Sequence, residues 1–237
     1  MDLKKIPLTL LGQCSIRTMD ARTVHYYSAN AKDVADRYES VQSPLAGYFL
    51  KVFAPSGKIL DIGCGSGRDM AELTRQGYSA YGIDATPELV QLAQELHPEL
   101  TDRVSQAFLP DFEVPFGGNF DGVLCSAVLM HIDESELPSA ALSIKRCLKV
   151  DGCLLISIPS QRPDLTEAER DGNGRLFKSH TASDLSLILE SLGFALINQW
   201  RNKDAMDRSE VEWVTVVFRL LSTANTIRAN EPGPLSI

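Results

Sequence analysis

The chain has 237 residues, 44% of them hydrophobic, enough for one large globular domain with appendages and unlike any low-complexity class. Its formal net charge of −8 excludes unaided, non-specific binding to a nucleic-acid backbone, although a local basic groove is not excluded. The five cysteines, Cys14, Cys64, Cys125, Cys147 and Cys153, are odd in number and form no CxxC, so they read as reduced, mostly buried thiols of a cytoplasmic protein. No Cys or His pair has zinc-ligand spacing, and no metal is expected.

The opening run "MDLKKIPLTLLGQC" has two lysines before a short apolar stretch, but Pro7 interrupts it and no small-residue cleavage site follows. It reads as a cytoplasmic N-terminal extension rather than a secretion signal. No segment approaches the ~18 apolar residues of a membrane span. "NAKDVADRYESV" predicts a helix. From residue 59 onward strand and helix patterns alternate: "KILDIG", then a helix through "RDMAELTRQG" closed by Gly77, then "SAYGID". Thr86 is placed to cap the next helix, Pro87 to begin it, and Leu89, Leu92, Ala93 and Leu96 to form its apolar face. "RVSQAF", "FDGVLCSAV" and "GCLLISI" read as the third to fifth strands, with a helix through "ELPSAALSIKRCLKV" between the last two.

Strands alternating with helices predict a parallel sheet covered on both faces. A final helix, "TASDLSLILESLG", leads into "FALINQWR" and "EVEWVTVVFRL", two strands close enough to pair antiparallel. The expected fold is therefore α/β, Rossmann-like and doubly wound, mostly parallel with one antiparallel strand. "STANTIRANEPGPLSI" has no apolar period and reads as a flexible tail or linker.

Within "ILDIGCGSGRD" the glycines Gly63, Gly65 and Gly67 follow an apolar strand that contains Asp61. Glycine permits positive φ and close approach of a ligand to the backbone, and the helix that follows presents free N–H groups. A dinucleotide fingerprint is G-x-G-x-x-G; here the third glycine comes one residue early, with Arg68 in its place. Asp84 ends the second strand, where it can accept from both hydroxyls of a ribose and would repel a 2′-phosphate. A nicotinamide oxidoreductase is thereby disfavoured.

Together "ILDIGCGSGRD", "YGIDATPELVQLA", "FDGVLCSAVLMHI" and "LKVDGCLLISIP" resemble the successive motifs of class I S-adenosylmethionine-dependent methyltransferases, over roughly residues 25 to 220. The resemblance implies a seven-stranded sheet with its last strand inserted antiparallel, and S-adenosylmethionine as cofactor with S-adenosylhomocysteine as product. It places Asp61, Gly63, Cys64 and Gly65 by the methionine part of the cofactor, Asp84 and Ala85 by the ribose, and Ser126 by the mouth of the site. An acid that the family often has after the third strand is missing from "QAFLPDF". Phe108 and Leu109 are the expected adenine contacts, with Asp111 as the alternative.

"VHYYSANAKDVADRYESV" resembles the family's lid helix. Tyr26, Tyr27 and Tyr38 either close over the sulfonium or pack the helix onto the sheet. Arg37 and Arg68 are candidates for the cofactor carboxylate. His131 is a candidate general base, or a structural residue held by the backbone. "GRLF" followed by "D-x-x-x-R…W" resembles a bacterial branch of the family with no settled substrate, and Arg175, Phe177, His180 and Arg208 are candidate acceptor contacts. Trp213 is expected in the core.

The implied organisation is an N-terminal extension and lid helix over 1–40, a methyltransferase domain over 41–220 and a tail over 221–237. Methyl transfer to a small molecule is the leading expectation. A nucleic-acid or protein methyltransferase is the alternative, although the Asn-Pro-Pro-aromatic loop of amino-group DNA methylation is absent, "SAVLMH" standing in its place. A non-catalytic cofactor-binding module attached to a partner is the other.

Overall fold

The computed structural model describes residues 19–206, 208 and 210–222. The N-terminal run with Cys14 and the expected tail from 223 onward lie outside the described residues. The helices are α1 (Ala21–Ala29), α2 (Ala31–Glu39), α3 (Ala46–Val52), α4 (Arg68–Arg75), α5 (Pro87–Leu96), α6 (Leu137–Cys147) and α7 (Ala182–Ser191). The strands are β1 (Lys58–Ile62), β2 (Ser79–Asp84), β3 (Val104–Gln106), β4 (Phe120–Ser126), β5 (Leu148–Gln161), β6 (Phe194–Lys203) and β7 (Glu212–Leu220).

They form one seven-stranded sheet in the order β3-β2-β1-β4-β5-β7-β6. Pairings from β3 across to β5 are parallel, and β7 runs antiparallel to both of its neighbours. The order turns back between β1 and β4, which leaves a crevice at the carboxyl ends of these strands.

Period-two alternation explains how both faces are covered. Leu60, Ile62, Val123, Cys125, Leu154 and Ile156 face a core completed by α6 and α7. Ile59, Leu124, Cys153 and Leu155 face the other, completed by Phe49, Phe53, Met70 and Leu73. Phe49, Phe120 and Phe218 are wholly buried, each contributing on the order of 2–3 kcal/mol of apolar burial. The described cysteines Cys64, Cys125, Cys147 and Cys153 are free and buried in these layers. A smaller cluster of Val34, Ala35 and Leu89, flanked by Tyr26, Tyr27 and Tyr38, seats α1 and α2 on α5.

Several local readings are corrected. The helix expected to reach Val150 stops at Cys147, and Leu148 already pairs with Phe120; a register shift before Gly122 absorbs the extra residues of β5. β3 is shorter than "RVSQAF", because the chain leaves the sheet once Ala107 N–H has bonded Asp84 O. Thr86 stands at the N-cap of α5, but its side chain makes no cap bond to that helix. Leu96 is 42% exposed, off the apolar face it was assigned to. α3, not anticipated, packs Phe49 beneath α4.

Among the described residues, no helix is long and apolar enough to cross a membrane.

Candidate active site

At the end of β1 the N–H groups of Gly63 and Cys64 both donate to Ile83 O of β2, at 2.7 and 3.0 Å. This folds the chain into a turn with Gly63 at φ 73° and Gly65 at φ 56°. A Cβ on Gly63 would lie 2.4 Å from Val128 Cγ2, so the close approach requires glycine there. The turn opens into a cavity of about 490 Å³.

Asp84 braces the turn from β2. Its Oδ2 accepts from Gly65 N–H and its Oδ1 from Thr86 N–H, each at 2.9 Å. Burial pushes this carboxyl up, and the two backbone donors pull it back. Each oxygen keeps acceptor capacity toward the cavity. Asp61 is 2% exposed, and its Oδ1 has no hydrogen-bond partner among the described residues. Burial, then the charges of Asp69 and Asp84, push its carboxyl well up against the opposing pull of Arg68. A buried carboxylate left in this state calls for a cationic donor from a ligand.

Around these acids the cavity wall holds Tyr27, Arg37, Cys64, Arg68, Ala85, Phe108, Leu109 and Ser126, all of them expected by the cofactor site. Arg68 is oriented by Asp69 Oδ1 at 2.8 Å and Tyr38 O at 3.3 Å. Phe108 is half-exposed and Leu109 buried beside it. The alternative adenine contact, Asp111, does not line the cavity; its carboxylate is engaged by Arg146 and Ser143.

The outer half of the cavity is closed by α1 and by the segment between β5 and α7. Tyr27 OH donates to His131 Nε2 at 3.2 Å and accepts from Arg175 Nη1 at 3.0 Å. His131 Nδ1 donates to Leu176 O at 2.5 Å, which leaves Nε2 as the acceptor. Burial holds this imidazole down to about 4, with the Leu176 carbonyl opposing. His131 is thus neutral at pH 7 and bonded on both nitrogens, the structural arrangement named above as the alternative to a base. Phe177 packs edge-on to it at 4.8 Å between ring centres.

Arg175 gives Nε and Nη2 to Asp171 Oδ2, at 2.9 and 2.6 Å. Its guanidinium lies 4.6 Å from the Tyr26 ring centre and 5.1 Å from that of Phe177. Arg208 is held by Asp204, which also accepts from the Trp213 indole at 2.9 Å. Two expectations fail here. His180 does not line the cavity; it is buried with Nε2 on Ile132 O at 2.9 Å, because Thr181 caps α7 and turns the chain away. Trp213 is half-buried at the cavity wall rather than in the core, because its indole N–H follows Asp204. Sequence reasoning missed Asp164 and Asp171, which line the outer half together with Arg162. The signal for Asp171 was present: "DGNGR" repeats the D-x-x-x-R spacing of "DAMDR".

The fold and this glycine-and-acid crevice define a Rossmann-like ligand-binding protein built for a molecule that offers a ribose and a cation. The methyltransferase domain family matches residues 34–199, and the chain belongs to that family, with the class I, S-adenosylmethionine-dependent architecture. It is similar to a ubiquinone biosynthesis O-methyltransferase of Xanthomonas oryzae, 30% identical over 206 residues that cover 77% of this chain and 80% of the relative. Another of that name, from Xanthomonas campestris, is 31% identical over 120 residues, about half of each chain (48% and 47%). Among solved structures it resembles the Burkholderia thailandensis 1,6-didemethyltoxoflavin-N1-methyltransferase with bound 1,6-didemethyltoxoflavin and S-adenosylhomocysteine. The TM-score is 0.64 at 22% identity, covering 85% of this chain and 88% of that one.

Proposed function

We propose that the chain transfers a methyl group from S-adenosylmethionine to a small-molecule acceptor. The observation that carries the reading is the buried Asp61 Oδ1, without a hydrogen-bond partner among the described residues, set beside Asp84 at the glycine turn. A ligand that brings both an ammonium and a ribose diol satisfies both acids. Asp61 is suited to the ammonium, Asp84 to the ribose hydroxyls, Arg68 and Arg37 to the carboxylate, and Phe108 with Leu109 to the base. When bound, the cofactor supplies an electrophilic methyl group on a sulfonium.

The protein's work is then to bind, orient and exclude water. Holding the acceptor at near-attack distance supplies on the order of 7–11 kcal/mol of the barrier. Tyr27, pinned between Arg175 and His131, caps the cavity from α1. His131 holds that tyrosine rather than removing a proton from the acceptor. The small-molecule reading is supported by the outer half of the cavity beneath α1 and by similar proteins named for ubiquinone biosynthesis and for 1,6-didemethyltoxoflavin.

The test joins two measurements. Calorimetry with S-adenosylhomocysteine should show binding, and labelled methyl groups should pass from S-adenosylmethionine into the small-molecule fraction of a bacterial lysate. Label in RNA, DNA or protein would overturn the acceptor class. Absence of cofactor binding would overturn the whole reading.

A further inference from the structure

Two loops in the outer half of the cavity are built alike. In each, an Asp accepts from the backbone N–H two residues on, from that four residues on, and from Nε and Nη2 of the Arg at that fourth position. Asp171 receives Asn173 N, Arg175 N and the Arg175 side chain. Asp204 receives Met206 N, Arg208 N and the Arg208 side chain, and the Trp213 indole as well. A third guanidinium, Arg162, is held through Nε and Nη2 by Asp164 at 2.7 Å and lies 4.1 Å from the Phe177 ring centre. The three pairs form one cluster. Arg162 and Arg175 both lie over the Phe177 ring, at 4.1 and 5.1 Å from its centre, and Arg208 lines the same cavity.

The buried carboxylates of the two loops are saturated, whereas the guanidinium groups keep donors free. The Asp171 and Asp204 side chains are 4% and 3% exposed, with every oxygen engaged. Arg162 Nη1 and Arg208 Nη1, by contrast, have no partner among the described residues, and both arginines line the cavity. Each carboxylate fixes one edge of its guanidinium and leaves the other edge for a ligand. A guanidinium oriented in this way matches two oxygens of a carboxylate or a phosphate with two parallel N–H donors. Among the described residues of this outer half, the one exposed carboxylate, Asp164, is already paired with Arg162, and a cationic acceptor meets Arg162, Arg175, Arg208 and Lys203 on the wall.

We propose that the acceptor carries an oxyanion, a carboxylate or a phosphate, gripped by Arg162 and Arg208, on an apolar body lying against Met130, Phe177 and Trp213. This rests on the methyl-transfer reading and adds the class of acceptor. Arg175, with Tyr27 and Asp171 already engaged, is a positioning residue for the tyrosine rather than a ligand contact.

The test uses the full chain saturated with S-adenosylhomocysteine, whose binding is measured first. Four probes of similar size are then titrated by calorimetry: 4-hydroxybenzoate, phenyl phosphate, 4-hydroxybenzyl alcohol and tyramine. At least one oxyanion should bind about tenfold or more tightly than the alcohol and the amine. Comparison of the first two probes identifies the anion. Arg162→Met and Arg208→Met should each reduce that affinity about tenfold while S-adenosylhomocysteine affinity, which also reports folding, stays the same. The proposal is overturned if the alcohol or tyramine binds as tightly as the oxyanions. It is equally overturned if the double variant keeps the preference, or if no oxyanion binds at millimolar concentration while S-adenosylhomocysteine does. Failure of wild-type protein to bind S-adenosylhomocysteine would instead remove the cofactor reading, and this inference with it.

Discussion

The Tyr27 hydroxyl donates to His131 Nε2 across 3.2 Å, joining α1 to the turn that follows β4. The imidazole is closed off on its other side by Leu176 O, so protonation of the folded protein has to break the tyrosine bond. Its ordinary value of 6.5 falls to about 4, burial being the main cause. The unfolded chain therefore takes up the proton first as pH falls. The stabilising contribution is complete above the unfolded value and is lost on the way down to about 4. The slope in that window reaches about 1.4 kcal/mol per pH unit. His131→Gln removes this titration. Urea unfolding at pH 7 and pH 5 should show wild-type protein losing about 2 kcal/mol more than the variant over the interval.

Asp84→Ala removes both acceptors proposed for the ribose and strands the N–H groups of Gly65 and Thr86. Hydrogen bonds to a charged group are worth about 1.5–3 kcal/mol each, so S-adenosylhomocysteine affinity should fall by roughly a hundredfold or more. Calorimetry on variant protein with an unchanged circular dichroism spectrum measures it. Near-normal affinity would remove Asp84 from the ribose.

The sheet was legible because its signals are strong and local. Apolar runs such as "KIL" and "GCLLISI" are bounded by glycine turns, and two late strands close in sequence had to pair antiparallel. The inner half of the cavity, where the cofactor is proposed to bind, was legible for the same reason, since Asp61, the three glycines and Asp84 lie at or just beyond the ends of consecutive strands. The outer half was not. Tyr27 and Arg175 are 148 residues apart, Asp20 and Arg170 150 apart, and no period in the chain announces such pairs. His180 was misplaced because a histidine near a glycine-rich loop looks available, whereas the cap at Thr181 fixes the local chain direction and buries it. Helix ends failed where tertiary pairing overrode propensity, as at Leu148, which joins Phe120 instead of continuing α6.

Gly63→Ala places a methyl group where Val128 Cγ2 already stands, at 2.4 Å, on a residue with φ 73°. Overpacking and left-handed strain together should cost about 2–4 kcal/mol of unfolding free energy. Val128→Ala in the same chain removes the clash but not the strain, so it should recover part of the loss. Denaturant melts of the single and double variants test this. Full recovery would show that backbone conformation contributes nothing here.

Asp20 caps α1 by accepting from Thr23 N–H at 2.9 Å, and grips Arg170 with both oxygens at 3.0 and 2.7 Å. One carboxylate thus starts the helix and ties it to the segment opposite, where Thr23 Oγ1 also accepts from Leu176 N–H at 2.9 Å. The hydrogen bonds from Arg170 hold the Asp20 carboxyl well below its usual range. A depressed carboxyl contributes stability that is present above its unfolded value of 3.8 and is lost only as pH falls through the lower folded value. The tie should therefore survive at pH 4. Asp20→Asn keeps an acceptor for the cap but loses the ion pair. At pH 7 it should speed amide exchange in α1 about tenfold, corresponding to about 1.4 kcal/mol of easier local opening, and leave the amides of β4 unchanged. In a His131→Gln background, which removes the titration of the histidine bonded to Tyr27, exchange in α1, corrected for intrinsic rates, should show the same protection at pH 4 as at pH 7. Equal acceleration in β4 of the Asp20→Asn variant would mean that Asp20 stabilises the whole domain rather than the closure of α1 over the cavity.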